Sequence, residues 1–123
     1  TLLTYSLKYS VDRTRPYDKY PDLIYPYDRE SSPSFPSGHT SVAFSLATSL
    51  SIKYPTWYVI APCYLWAGTV GYSRMNLGSH YPSDVLAGAL LGSGSAFLTH
   101  KINDWCWNKR NNKKIFSDTY TFL

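Results

Sequence analysis

The sequence predicts an all-α fold. Two observations carry the prediction. Long apolar stretches dotted with Ser and Thr run over residues 39–54 and onward from Pro82, free of internal proline, and prolines stand at their boundaries. A proline inside a helix removes a hydrogen bond and clashes with the preceding turn, so these residues read as helix ends. The composition agrees. The 123 residues are 44% hydrophobic and 17% aromatic, too apolar for a disordered chain and enough for one domain with a modest core.

The elements follow in order. The chain opens on TLLTYSLK, without an initiator Met, and reads as the end of a helix. A processed or truncated chain whose targeting segment is absent is therefore expected. Residues 17–35 are a Tyr-rich loop, with Pro21, Pro26 and Pro33 inside it and Pro16 and Pro36 at its flanks. A first long helix spans His39 to Tyr54 and stops at Pro55. A second spans Thr56 to Tyr72, with Pro62 as a candidate kink. Pro82 suits a first helical position, so a third helix starts there and continues to about Trp105. The remaining residues, 108–123, form a basic and then irregular tail. The whole chain reads as a single domain.

Charge and hydropathy narrow the partners. The net charge is +4 and Cys63 and Cys106 are the two cysteines. A basic balance suits phosphate esters, nucleic acid or anionic lipid and selects none of them. The two cysteines lie about 14 Å and 35 Å along consecutive helices from their shared loop, beyond disulfide reach if those helices are antiparallel. Both read as packing residues. The longest uncharged run, Tyr54 to Ser73, is interrupted by Pro55 and Pro62 and is marginal as a membrane span. With a mean hydropathy of −0.27, the balance favours a soluble or peripheral bundle. Gly88 and Gly92 form a small-xxx-small pair, usable in lipid or water.

Three short blocks hold the chemistry. Lys8 and Arg15 stand seven residues apart, about two helical turns, and would point the same way on one helix. In PSGHT, Ser37 and Gly38 mark a helix start whose free N–H groups suit an anion, and His39 sits at that end. In SRMNLGSHYPSD, Arg74 supplies a third cation, His80 lies just before the Pro82 helix, and Asp84 falls in its first turn. Asp84 can curl back to His80, fix its tautomer and sharpen the other ring nitrogen as a nucleophile. Each block alone also suits ordinary surface cations, a capped helix or a charge at a helix N-terminus. As metal ligands His80 and Asp84 are disfavoured, because neighbouring cations oppose a divalent ion.

Taken in order, Lys8-x6-Arg15-Pro16, Pro36-Ser37-Gly38-His39 and Ser73-Arg74-x5-His80-x3-Asp84 fill every position of one three-part signature. By these blocks the chain resembles the type 2 phosphatidic acid phosphatase superfamily, which also holds bacterial class A acid phosphatases and vanadium haloperoxidases. The resemblance runs from residue 8 to about 98. It implies a helical bundle of that type, lacking the family's N-terminal helices, so that the chain is the C-terminal catalytic part of a longer one. It implies that Lys8, Arg15 and Arg74, with Ser37 and the Gly38 N–H, hold phosphoryl oxygens. His80 would attack phosphorus and form a phosphohistidine, Asp84 would orient it, and His39 would protonate the leaving group. No metal or other cofactor is implied.

The function expected on this resemblance is hydrolysis of phosphate monoesters or diphosphates. SHYPSDVLAGALLG is similar to the lipid-phosphatase branch, which points to phosphatidic acid or an isoprenoid diphosphate. The expected partners are a phosphorylated small-molecule or lipid substrate, a membrane surface and a second copy of the chain, and not nucleic acid. The expected location is the cell envelope, periplasmic or membrane-associated, with the site facing outward. Rival readings are a vanadate-dependent haloperoxidase, disfavoured by the short chain, and a non-catalytic phosphate- or phospholipid-binding module.

Overall fold

The structure is a computed structural model describing residues 2–26 and 29–121, with side chains as far as Arg110. Its helices are α1 (Leu2–Val11), α2 (Pro16–Lys19), α3 (Gly38–Lys53), α4 (Trp57–Asn76) and α5 (Pro82–Thr121). Among the described residues no strand forms, so the all-α expectation holds.

α3 is the hub. It packs against both α4 and α5, which touch each other much less. Its contacts give the directions. Thr48 Oγ1 lies 2.9 Å from the Tyr64 hydroxyl, while the start of α3 meets the end of α4, where a Cβ on Gly71 would contact Thr40. α3 and α4 are therefore antiparallel. Gly88 meets Ser37 and Thr40, and Gly92 meets Ser41, so α3 and α5 run parallel with their N-termini together. The glycines permit this approach. A Cβ on Gly88 would sit 2.5 Å from the Ser37 carbonyl oxygen, and one on Gly92 would press into the Ser41 carbonyl. The core between α3 and α4 is correspondingly small: Ala43, Ala47 and Ala67, flanked by Phe44, Cys63, Tyr64 and Val70. Phe44 and Tyr64 meet edge to face with centroids 6.0 Å apart.

Caps and turns place the ends. Ser37, with extended backbone, caps α3, and its side chain accepts from the Thr40 N–H. α4 runs through Pro62 as one helix. After α4, Gly78 takes the left-handed conformation (φ 65) and its N–H bonds to the Met75 carbonyl. That turn brings the Ser79 and His80 N–H groups onto the Arg74 carbonyl at 3.2 and 3.3 Å. Arg74 and His80, the two ends of one signature spacing, are thus joined by backbone.

Three expectations are corrected. Lys8 and Arg15 do not share a helix: Asp12, at φ 43, ends α1, and Arg15 is the extended residue before Pro16, as a following proline favours. The tail is not irregular, because α5 continues to Thr121. No proline or glycine follows Gly94, and side-chain pairs at helical spacing line its surface: His100 with Asp104 at 3.3 Å, and Lys109 over the Trp105 ring at 4.9 Å. Finally, both cysteines are free, and Cys63 packs beside the core, but Cys106 is exposed rather than packed. α5 has 40 residues against 16 in α3, so its distal half outruns the helix that covers its start.

Among the described residues no helix is long and apolar enough to cross a membrane. Large apolar side chains nevertheless stand exposed on α4 and α5, Trp57, Leu65, Leu90 and Trp105 among them.

The glycine contacts make a direct prediction. Gly92→Val should lower stability by about 1–3 kcal/mol in denaturant titration, since overpacking must push α3 and α5 apart. Gly94→Ala, where an added Cβ meets nothing within 4 Å, should be neutral or stabilising.

Candidate functional site

The site forms where the N-termini of α3 and α5 meet the C-terminus of α4 and the loop after α2. The Ser37 N–H donates to the Asp84 carbonyl at 3.0 Å, joining the two helix starts. Exposed N–H groups and aligned peptide dipoles give such ends a positive potential.

His80 is 2% exposed. Its Nδ1 lies 2.7 Å from the Ser34 carbonyl oxygen. A carbonyl can only accept, so Nδ1 carries the proton and the neutral ring keeps its lone pair on Nε2. Burial pushes the His80 pKa down from 6.5 to about 4, and the nearby Arg15 guanidinium adds to the effect. Nε2 faces Arg15 Nη1 at 3.4 Å.

Asp84 is fully buried, but it does not bond His80; their nearest polar atoms are 3.9 Å apart. Ser34 comes between. Its carbonyl takes the His80 proton, and its hydroxyl donates in a very short hydrogen bond to Asp84 Oδ2. Oδ2 also accepts from the Tyr81 N–H at 2.9 Å, and Oδ1 accepts from Arg13 Nη1 at 2.7 Å. The spacing of His80 and Asp84 suggested a direct contact; the structure supplies an indirect one.

Arg15, also 2% exposed, is held on every nitrogen. Nε donates to the Ser32 carbonyl at 2.9 Å, Nη1 to the Ser79 carbonyl at 3.1 Å, and Nη2 to Glu30 Oε2 at 2.7 Å. Lys8 Nζ donates to the Ser32 hydroxyl at 2.8 Å, so the two cations converge on Ser32 although their helix is broken. Burial, then Arg15, lowers the Lys8 pKa. The Glu30 backbone is clamped to the Tyr17 hydroxyl through both its N–H and its carbonyl. Burial alone would raise the Glu30 carboxyl; Arg15, His39 and His80 outweigh it and hold it below the usual range.

An open cleft of about 540 Å³ adjoins this cluster. Lys8, Gly38, His39, Arg74 and Glu30 form its polar end, and Tyr5, Val42, Trp66 and Val70 its apolar wall. His39 is exposed, with Nδ1 3.9 Å from Glu30 Oε1. Arg74 Nε is buried and has no hydrogen-bond partner, a donor free for an anion. Arg15 lines an adjoining cleft, and Glu30 and Ser32 line both. Ser37 stays outside: its hydroxyl caps α3 and lies 2.9 Å from Thr40 Oγ1. Of the residues picked from the sequence, Lys8, Gly38, His39 and Arg74 meet in one cleft. Arg15 and His80 stand in contact beside it, and Asp84 supports them from within.

The family assignment rests on more than the three blocks. Residues 1–108 match the model of the PAP2 superfamily. The chain belongs to the PAP2 superfamily. An undecaprenyl-diphosphatase of Sulfolobus acidocaldarius is 35% identical over 95 residues, 77% of this chain and 46% of that protein. The fold is similar to the crystal structure of Aquifex aeolicus LpxE, with a TM-score of 0.75 and 35% identity over 81% of this chain and 59% of that one. It is also similar to a transmembrane PAP2-type phosphatidylglycerolphosphate phosphatase from Bacillus subtilis, with a TM-score of 0.69 and 34% identity over 84% and 53%. The chain thus spans about half the length of these PAP2 relatives.

Sequence reasoning missed Glu30, Ser32, Ser34 and Arg13. Arg13 sits two residues before Arg15, and Ser34 three before Ser37, so both lay within reach of the quoted blocks.

The buried His80 fixes a pH dependence. Unfolding frees its imidazole to take a proton near pH 6.5 that the folded state takes only near 4. Its contribution is therefore complete above pH 6.5 and is lost as pH falls toward 4. Denaturant titrations at pH 7 and pH 5 should differ by up to about 2 kcal/mol from this group. His80→Gln should remove that part of the difference.

Proposed function

We propose that this chain carries the catalytic part of a metal-independent phosphatase for lipid-linked phosphates, acting through a phosphohistidine. The observation that carries the reading is the His80 ring. Its Nδ1 proton is held by a backbone carbonyl, and its Nε2 lone pair lies against a buried arginine. A phosphoryl oxygen bound by Arg15 would bring phosphorus to that lone pair. Lys8, Arg74 and the Gly38 N–H would hold the remaining oxygens. As the Nε2–P bond forms, the P–O bond to the leaving group breaks, and His39 donates a proton to the departing oxygen. His39 then takes a proton from water, which attacks phosphorus, breaks the N–P bond and returns His80 with free phosphate.

Glu30 stands in the way of this sequence. Its carboxylate holds Arg15 and faces His39, and a phosphoryl group entering the cradle must compete with it. The Glu30–Arg15 pair opens as substrate binds.

The names of two relatives, an undecaprenyl-diphosphatase and a phosphatidylglycerolphosphate phosphatase, support a lipid phosphate as substrate. The apolar wall of Tyr5, Val42, Trp66 and Val70 beside the cationic end suits an acyl or isoprenoid chain. We place the site at the membrane of the cell envelope, facing outward. The exposed aromatic residues of α4 and α5, and Lys109 and Arg110 beside Trp105 and Trp107, suit an interface.

The test is phosphate release from a short-chain phosphatidic acid, an isoprenoid diphosphate and p-nitrophenyl phosphate, with EDTA present. The reading requires release that resists EDTA, is blocked by vanadate and is fastest on a lipid substrate. It also requires His80→Ala to lose more than about 10³-fold in kcat with the fold kept. Release that needs a divalent ion, or that survives His80→Ala, would contradict it. The rate should rise as pH climbs past the His80 pKa of about 4. Glu30→Gln should tighten vanadate inhibition by about fivefold, the scale of a partly exposed ion pair.

A further inference from the structure

We propose that Arg13 is a positioning residue for the nucleophile, holding Asp84 so that Asp84 fixes Ser34 and Ser34 fixes His80. The inference rests on His80 being the nucleophile. It adds a residue at one of the unspecified positions of the first block, between Lys8 and Arg15.

The geometry is a chain of contacts from surface to ring. Arg13 Nη1 donates at 2.7 Å to Asp84 Oδ1 and at 2.7 Å to the Ser83 hydroxyl. Its guanidinium lies 4.1 Å from the centroid of the Tyr81 ring, so it grips three of the four residues after His80. The Arg13 carbonyl accepts from the Ser34 N–H at 2.8 Å. Arg13 therefore holds Ser34 by its backbone and Asp84 by its side chain. Asp84 in turn holds the Ser34 hydroxyl, and the Ser34 carbonyl holds His80 Nδ1. The side chain of Arg13 is 39% exposed and that of Asp84 is fully buried.

Charge gives Arg13 a second task. Asp84 is a buried carboxylate 3.9 Å from His80 Nδ1. The charged groups facing His80 are Arg15 from the start of α2, Glu30 from the loop and Asp84 from α5. Lys8 of α1 also acts on Asp84. Left unpaired, the Asp84 charge would draw a proton onto His80 and take away the lone pair that attacks. Arg13 opposes that pull at 2.7 Å, while Arg15 opposes it at the other ring nitrogen. Arg13 lines the adjoining cleft but touches neither ring nitrogen; its charge acts on His80 through Asp84, while its backbone holds Ser34.

The test follows His80 directly, without relying on turnover. The His80 titration midpoint is read by NMR of the labelled imidazole in the full chain, in Arg13→Gln, in Arg13→Lys and in the same changes on an Asp84→Asn background. Arg13→Gln should raise the midpoint by about one pH unit, a tenfold change in proton affinity. Arg13→Lys keeps the charge and should move it by less than half as much. With Asp84→Asn, either Arg13 change should leave the midpoint in place. A fall in melting temperature with an unmoved midpoint in both Arg13 variants would reduce Arg13 to a structural residue and overturn the proposal. Equal shifts with and without Asp84 would overturn it too. Where turnover is measured, Arg13→Gln should lower kcat about 10²-fold with KM little changed. A midpoint shift in a chain that hydrolyses nothing would uphold the link from Arg13 to His80 and count against the nucleophile reading instead.

Discussion

The parallel docking of α3 on α5 is the contact on which the site depends. Two helix N-termini placed side by side repel each other weakly, and each leaves free N–H groups. Here the approach is made possible by Gly88 and Gly92 against the carbonyls of Ser37 and Ser41, and it is pinned by the Ser37 N–H on the Asp84 carbonyl. Asp84 supplies a negative charge in the first turn of α5, where the two positive ends meet. Once these helices are set, His39 and Asp84 have fixed relative places, and α4 brings Arg74 to the same end by running antiparallel to α3.

Electrostatics then set the state of the site. Arg15 and Lys8 are buried next to one another, a costly arrangement unless anions or carbonyls answer them. Ser32 and Ser79 answer with oxygens, and Glu30 answers with a charge. The same cluster keeps His80 neutral. A neutral imidazole with its proton fixed on Nδ1 is a nucleophile; a charged one is not. Burial, Arg15 and the Ser34 carbonyl thus define the state of the ring as well as its position.

Much of this was legible in local spacing, and the failures have physical causes. The PSGH block announced a helix start at residue 38 because Pro, Ser and Gly have strong local preferences there, and Pro82 opened α5 for the same reason. Lys8 and Arg15 would share a face only on an unbroken helix, and the positive φ of Asp12 ends it; both cations still meet, through Ser32 in a distant loop. The His80–Asp84 spacing suggested a direct bond. Whether Ser34 comes between them depends on how residues 34–37 dock against Arg13 and Asp84, which no local pattern encodes. Glu30 left no signature because its partners lie 15 and nine residues away, across a proline-rich loop. The charged stretch after Trp107 suggests a tail by composition, yet it holds no proline or glycine to break a helix, and α5 continues through it.

The central claim is that His80 Nε2 receives the phosphoryl group. The most direct measurement is to quench a reaction with ³²P-labelled short-chain phosphatidic acid in alkali, where a phosphohistidine survives, and to locate the label by peptide mass spectrometry. The account predicts a phosphoryl group on His80 that is lost on acidification and absent from His80→Ala. Turnover with no label on His80 under these conditions, or label on His39 instead, would contradict it.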